Sequence, residues 1–299
     1  MDMSTTRAIP TPAMARTAAF WALAKPDVTF LVVLTTGLGY CAGSRGAFDW
    51  LALVQVVFGT LLLSAGTAAM NQYVERRLDS QMRRTAGRPL PSGAVAPRDA
   101  LVFSATLMFA GLVHLFLVVH PLAALLGACS AITYLALYTP LKTRTPWCTF
   151  VGAFPGAVPP LIGWAAARHS LDAPGWLLFA ILFLWQFPHF LSIAWIYRED
   201  YSRAGIRMLP VVDPSGRSTF RQIVGYSAAL IPASLLPSIA GIAGVPYLFG
   251  ALLLGIALLQ VSLWTAREQT NRAAMWLMHS TVIHIPLLMG LLVYDKIPH

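Results

Sequence analysis

The sequence predicts an all-α polytopic membrane bundle of about nine transmembrane helices, with a cytoplasmic N-terminus. Three observations carry this prediction. Only 11% of the 299 residues are charged and 57% are hydrophobic, whereas soluble domains carry roughly a quarter charged residues. Nine apolar runs approach the roughly 20 residues that a bilayer-crossing helix needs. Basic residues fall on alternate connections, which marks a fixed orientation in the membrane. The runs are continuous rather than alternating, so they are helices and not barrel strands.

In chain order, residues 1–24 read as a cytoplasmic tail with an interfacial segment around Phe20 and Trp21, and 25–299 as one integral-membrane domain. Arg7 and Arg16 are not followed by the apolar core and small-residue cleavage site of a signal peptide. The spans run near 28–44, 50–74, 99–119, 122–138, 150–167, 174–196, 222–242, 246–264 and 275–293. Pro155, Pro159 and Pro160 interrupt the fifth and Pro188 the sixth; a membrane bundle tolerates them because neighbouring helices satisfy the freed backbone groups. With the N-terminus inside, 18 of the 21 Lys and Arg lie on the cytoplasmic side, against Arg45, Arg168 and Lys296 outside. The formal charge of +9 therefore reports topology and not nucleic-acid binding. Cys41, Cys129 and Cys148 form neither a disulfide framework nor a zinc spacing.

Two inside loops, 75–98 and 197–221, are long and hold eleven basic residues. Each follows an even-numbered span, which suggests a weak internal duplication. At the first, Asn71, Glu75 and Asp79 stand at i, i+4 and i+8, on one helix face with a drift of about 40°. Such an oxygen ladder suits a hard cation such as Mg²⁺, which keeps sites for substrate phosphate oxygens. Arg83, Arg84 and Arg88 follow, and guanidiniums suit bidentate phosphate recognition. The same residues also read as an ordinary juxtamembrane helix with acid–Arg pairs. The second loop joins Trp195, Tyr197, Arg198, Glu199, Asp200, Tyr201 and Arg203. Its aromatic rings read first as an interface belt, and alternatively as π faces toward an extended apolar or cationic intermediate.

The order N-x-x-x-E-x-x-x-D at Asn71, Glu75 and Asp79 resembles the first metal motif of the UbiA superfamily of intramembrane prenyltransferases. Three segments resemble its protohaem IX farnesyltransferase (haem O synthase) branch. They are Met82, Arg84, Thr85, Arg88, Pro89, Leu90, Pro91 and Gly93; Tyr138 to Lys142 with Gly152 to Trp164; and Trp185 to Phe190 with Tyr197 to Tyr201. The likeness spans about residues 20–293. Glu75 stands where the superfamily has Asp, and Ile196 stands where a second D-x-x-x-D motif would begin.

The resemblance implies a UbiA-like bundle in a bacterial inner membrane. Its implied reaction joins farnesyl diphosphate, haem B and water to give haem O and diphosphate, with Mg²⁺ as cofactor. Asn71, Glu75, Asp79 and Asp200 would be catalytic and hold the metal; Arg83, Arg84, Arg88, Lys142, Arg144, Arg198 and Arg203 would contact diphosphate. His189, Gln186, Trp195, Tyr197 and Tyr201 would line the haem and prenyl pocket, with His189 a candidate for the iron because intramembrane ionisable groups are usually functional. The two loops are candidate lids. Downstream haem A synthase or the terminal-oxidase assembly would be protein partners. A prenyltransferase acting on a quinone precursor is the nearest alternative, and a membrane transporter a more distant one.

Overall fold

The computed structural model describes residues 12–297, with side chains from Arg16 onward; residues 1–11 of the expected tail lie outside that range. The helices are α1 (Pro12–Leu23), α2 (Pro26–Gly43), α3 (Trp50–Asp79), α4 (Pro97–Val119), α5 (Pro121–Leu141) and α6 (Cys148–Arg168). They continue as α7 (Ala173–Ile196), α8 (Arg198–Arg203), α9 (Leu209–Val212), α10 (Arg217–Ile239), α11 (Val245–Glu268) and α12 (Asn271–Tyr294). Among the described residues, eight helices are long and apolar enough to cross a membrane, and nine if α1 and α2, bent by 48°, count as one span.

Each predicted span coincides with a helix, but several boundaries move. α3 runs on to Asp79, so the oxygen ladder continues the same rod that crosses the membrane. α10 begins at Arg217 rather than near 222. The segment read as tail is helical from Pro12, and α8 and α9 occupy much of the second long loop. Local chemistry explains the starts. Asp49 accepts from the Ala52 N–H to cap α3, and Thr270 does the same for α12 from Ala273. Proline opens α2, α4 and α5, where its missing N–H leaves no helical bond unmade. Single π turns lie within α4 (Leu115–Val119) and α5 (Thr133–Tyr138).

Lipid gives helices no hydrophobic reason to associate, so close backbone approach matters more. α2 and α6 make the tightest crossing: a Cβ on Gly39 would stand 2.2 Å from the Pro160 carbonyl oxygen, and one on Gly163 only 1.9 Å from that of Thr36. α3 packs along α4, and α7 is clasped between α10 and α12. α12 returns to α2 and closes the ring. Beyond it Lys296 donates to the carbonyls of Cys41 and Ser44 at the end of α2. One buried cluster joins α6, α7, α10, α11 and α12, a second α3 to α6. Phe109 and Leu117 are 71% and 72% exposed, as expected of side chains that face hydrocarbon.

Candidate active site

The ladder residues are buried, and each meets a base. Asn71 accepts from the Lys25 Nζ at 2.9 Å and donates to the Thr139 hydroxyl at 3.2 Å. Glu75 accepts from Lys142 Nζ at 2.6 Å. Asp79 takes Arg88 in a two-oxygen contact at 2.8 Å to each. Lys25 sits at the break between α1 and α2 with φ 46°, in the left-handed region. A non-glycine residue there is strained, and the bend turns its side chain onto Asn71. Gln72 secures the bend by donating to the carbonyls of Ala22 and Leu23.

Two carboxylates thus face three cations. Lys25 is pushed down to about 7, first by burial and then by Arg88 and Lys142. Burial also opposes the charge of Lys142, but Tyr138 and Glu75 outweigh it and hold its proton well above the usual lysine range. Lys142 and Arg88 therefore balance Glu75 and Asp79, and Lys25 adds a positive charge only when it holds its proton, which a bound anion favours. Tyr134 and Tyr138, presented by the π turn of α5, border it: the Tyr134 hydroxyl donates to Asn71 at 3.4 Å, and Lys142 lies 4.5 Å from the centre of the Tyr138 ring.

Asp200 lies in a different setting. It accepts the backbone N–H groups of Arg83 and Arg84 at 3.4 and 3.2 Å, and Arg203 donates to it. It staples loop 80–96 to α8. The side chains of Arg83, Arg84 and Arg203 are exposed and line an open cleft of about 460 Å³ with Tyr197 and Glu199. Arg84 stacks 4.7 Å from the Tyr197 ring. The structure thus separates residues that the sequence motif groups together: among the described residues no three His, Cys, Asp or Glu side chains converge to hold a metal ion. Asp200 gives its oxygens to the loop backbone and to Arg203.

From the ladder, a cavity of about 260 Å³ leads into the bundle. Lys25, Thr67, Tyr134 and Tyr138 stand near its mouth, and Leu63, Gly127 and Ile162 at its deep end. Gln186 lines it and donates to the carbonyls of Ala153 and Leu182. The other expected pocket residues stand elsewhere. Trp195 packs edge-on to Phe220, Tyr201 joins the buried group around Met82 and Cys148, and Tyr197 belongs to the open cleft. His189 adjoins the lining residue Phe190 and accepts or donates at Thr281, 2.8 Å away. Arg144 is exposed, and Arg198 is engaged by the Trp195 carbonyl and Asn271. Lys25, Tyr134 and Thr139 are the site residues that sequence reasoning missed. Lys25 reads there as one more topogenic charge and Tyr134 as part of the span 122–138, while Thr139, like Tyr138, enters only within the branch-like segment Tyr138 to Lys142.

The model of the UbiA prenyltransferase family matches residues 32–283, most of the chain and all of the ladder. The chain belongs to the UbiA prenyltransferase family. It is 51% identical over 283 residues to the protoheme IX farnesyltransferase of Solibacter usitatus (strain Ellin6076), covering 92% of this chain and 97% of that one. The protein of the same name from Koribacter versatilis (strain Ellin345) is 44% identical, with 92% of each covered. A solved digeranylgeranylglyceryl phosphate synthase superposes with a TM-score of 0.77 at 20% identity, over 94% of this chain and 99% of that one. A UbiA homologue from Archaeoglobus fulgidus, bound to GPP and Mg²⁺, superposes at 0.67 and 14% identity, over 92% and 99%. This protein is accordingly a membrane-embedded, UbiA-type prenyltransferase.

Proposed function

We propose that this chain transfers the farnesyl group of farnesyl diphosphate to a vinyl group of haem B, with water completing the product haem O, at the cytoplasmic face of a bacterial inner membrane. The names of its 51% and 44% identical relatives support the acceptor. The distribution of basic residues supports the side. The observation that carries the chemistry is the buried ladder with its three bases, one of which, Lys25, also lines the cavity that leads into the bundle.

Charge arithmetic favours a metal–diphosphate over a bare ion. Glu75 and Asp79 contribute −2, Lys142 and Arg88 +2, and Lys25 a third positive charge when a bound anion holds its proton, a sum of +1 in the liganded site. A diphosphate ester carries about −3 at neutral pH, so with one divalent cation it brings about −1 and the site closes near neutrality. The donor set fits: Asn71, Glu75 and Asp79 offer oxygen, which a hard cation prefers. Mg²⁺ held there supplies Lewis-acid neutralisation of the leaving diphosphate. Lys25, Lys142 and Arg88 bind phosphate oxygens and stabilise the charge that develops as the C–O bond breaks. Tyr134 and Tyr138 turn ring faces to the allylic cation, and the apolar walls exclude premature water.

The acceptor is anionic too, and the open cleft suits it. Arg83, Arg84 and Arg203 hold the haem carboxylates at the membrane surface. Within the bilayer, His189 orients the iron. The Thr281 hydroxyl donates to Met278 at 2.6 Å, so its oxygen accepts from His189 Nδ1 and the lone pair is left on Nε2, the arrangement of an iron ligand. Trp185 stacks on the ring and fixes it.

The test is to incubate membranes containing the protein with Mg²⁺, haem B and farnesyl diphosphate and to separate the pigments by chromatography. Haem O is the expected product. Prenylation of a phenolic quinone precursor without any haem O overturns the reading.

A further inference from the structure

We propose that Leu63, Leu115 and Ile162, packed over Gly127, form a stop that limits the prenyl chain to the farnesyl length. The proposal rests on the reading that the cavity holds the prenyl tail with its diphosphate at the ladder. Depth comes from the helices themselves. On α3, the lining residue Thr60 is eleven residues from Asn71 (71 − 60), which bonds the lining residues Lys25 and Tyr134, and Leu63 stands one turn nearer with its side chain directed back toward the level of Thr60. At 1.5 Å per residue that separation is about 16 Å. On α5, Gly127 is likewise eleven residues from Tyr138 (138 − 127), and on α6 Ile162 is ten from Gly152 (162 − 152). Three helices therefore place the deep wall at a similar level.

A carbon chain built of bonds of roughly 1.5 Å reaches about 14 Å in farnesyl, and one more isoprene unit adds about 5 Å. Farnesyl fits within the depth; geranylgeranyl overshoots it. Whether overshoot is tolerated depends on the wall, and the wall is dense. A Cβ on Gly127 would stand 2.6 Å from Leu63 Cδ2, 3.4 Å from Leu115 Cδ1 and 3.9 Å from Ile162 Cδ1. The three side chains are 5%, 0% and 3% exposed, and behind them lie Val56, Ala123 and Ala124 of the same cluster. A longer tail has to displace close-packed atoms, which interiors resist.

The test ranks prenyl analogues by binding, without haem. Purified protein with Mg²⁺ is titrated with farnesyl, geranyl and geranylgeranyl thiolodiphosphates, and midpoint concentrations are read from thermal protection. The native chain should prefer farnesyl over geranylgeranyl by about tenfold or more, the scale on which a hydrophobic pocket rejects extra carbon. Leu63→Ala and Ile162→Ala, which only remove atoms, should shrink that preference to within about threefold. Gly127→Ala should move the preference toward geranyl. Each ratio is taken within one protein sample, so partial loss of folded material cancels. If Leu63→Ala and Ile162→Ala both keep the native ratio, the stop is disproved. A failure to make haem O would strike the acceptor reading and leave this ranking intact, so the two claims fail separately.

Discussion

On α3, Glu75 and Asp79 are 7% and 1% exposed and each is closed by one base. Across loop 80–96, Arg83, Arg84 and Arg203 gather around Asp200 and open to the surface. Both regions are built from acids and bases, yet burial makes them different instruments. In the inner region the charges are taken out of water, where Coulomb energies are large and an unpaired charge is expensive. Binding there means exchanging partners. In the outer region Asp200 is satisfied by backbone N–H groups and by Arg203, so the guanidiniums of Arg83 and Arg84 keep donors free for a ligand that stays hydrated. A reaction with two anionic substrates of different depth uses both kinds of site.

Substitutions on the inner side should have the largest effects. Asp79→Ala should lower turnover by about 10²–10³-fold, the scale of losing one preorganised electrostatic contact, measured as haem O formed per minute. Lys142→Met should destabilise the fold by about 3–5 kcal/mol, because Glu75 is left charged without a partner. Adding Glu75→Met should restore most of that stability while leaving the enzyme inactive. Thermal denaturation in detergent together with turnover separates the two effects. If Lys142→Met unfolds no earlier than the native chain, the inner site is wetter than the structure shows and the contrast collapses.

Outer-side changes should be smaller and confined to one substrate. Arg83→Gln with Arg84→Gln should raise the KM for haem about tenfold, the value of one to two charge-assisted hydrogen bonds, and leave the KM for farnesyl diphosphate unchanged. The defect should vanish with the dimethyl ester of haem, which has no carboxylates to bind. An equal rise in both KM values would place these arginines on the diphosphate after all. Salt supplies a finer probe of the same distinction. The screening length falls from about 10 Å at 0.1 M to about 3 Å at 1 M. The KM for haem should therefore climb severalfold over that range, with the KM for farnesyl diphosphate nearly flat.

How far the sequence alone reveals this contrast depends on what holds each contact together. The spans are legible because hydropathy is a property of contiguous residues, and the ladder because Asn71, Glu75 and Asp79 share a helix face by spacing alone. The partners of the ladder are not legible. Lys25 is 46 residues from Asn71 and Lys142 is 67 from Glu75, and only the packing of α2, α3 and α5 brings them together. Asp200 misleads for another reason. Beside Arg203, three positions on, its partners are backbone N–H groups, which every residue but proline carries, so no pattern of side chains announces its hold on loop 80–96. Trp195 looks like a cavity residue in a string of letters, but the helical turn points it at Phe220.

Arg144 gives the comparison its control. By composition it belongs with Lys142, two positions away, and a sequence motif treats both as diphosphate ligands. In the structure Lys142 is 9% exposed and bonded to Glu75, whereas Arg144 is exposed at the turn after α5 and is absent from the linings of both cavity and cleft. Exposed substitutions away from such features stay within about 0.5 kcal/mol, so Arg144→Gln should change kcat/KM for either substrate by about twofold at most. A loss comparable to that of Lys142→Met would mean that position, and not burial, decides which base serves the reaction. The division into inner and outer sets would then have to be redrawn around loop 142–147.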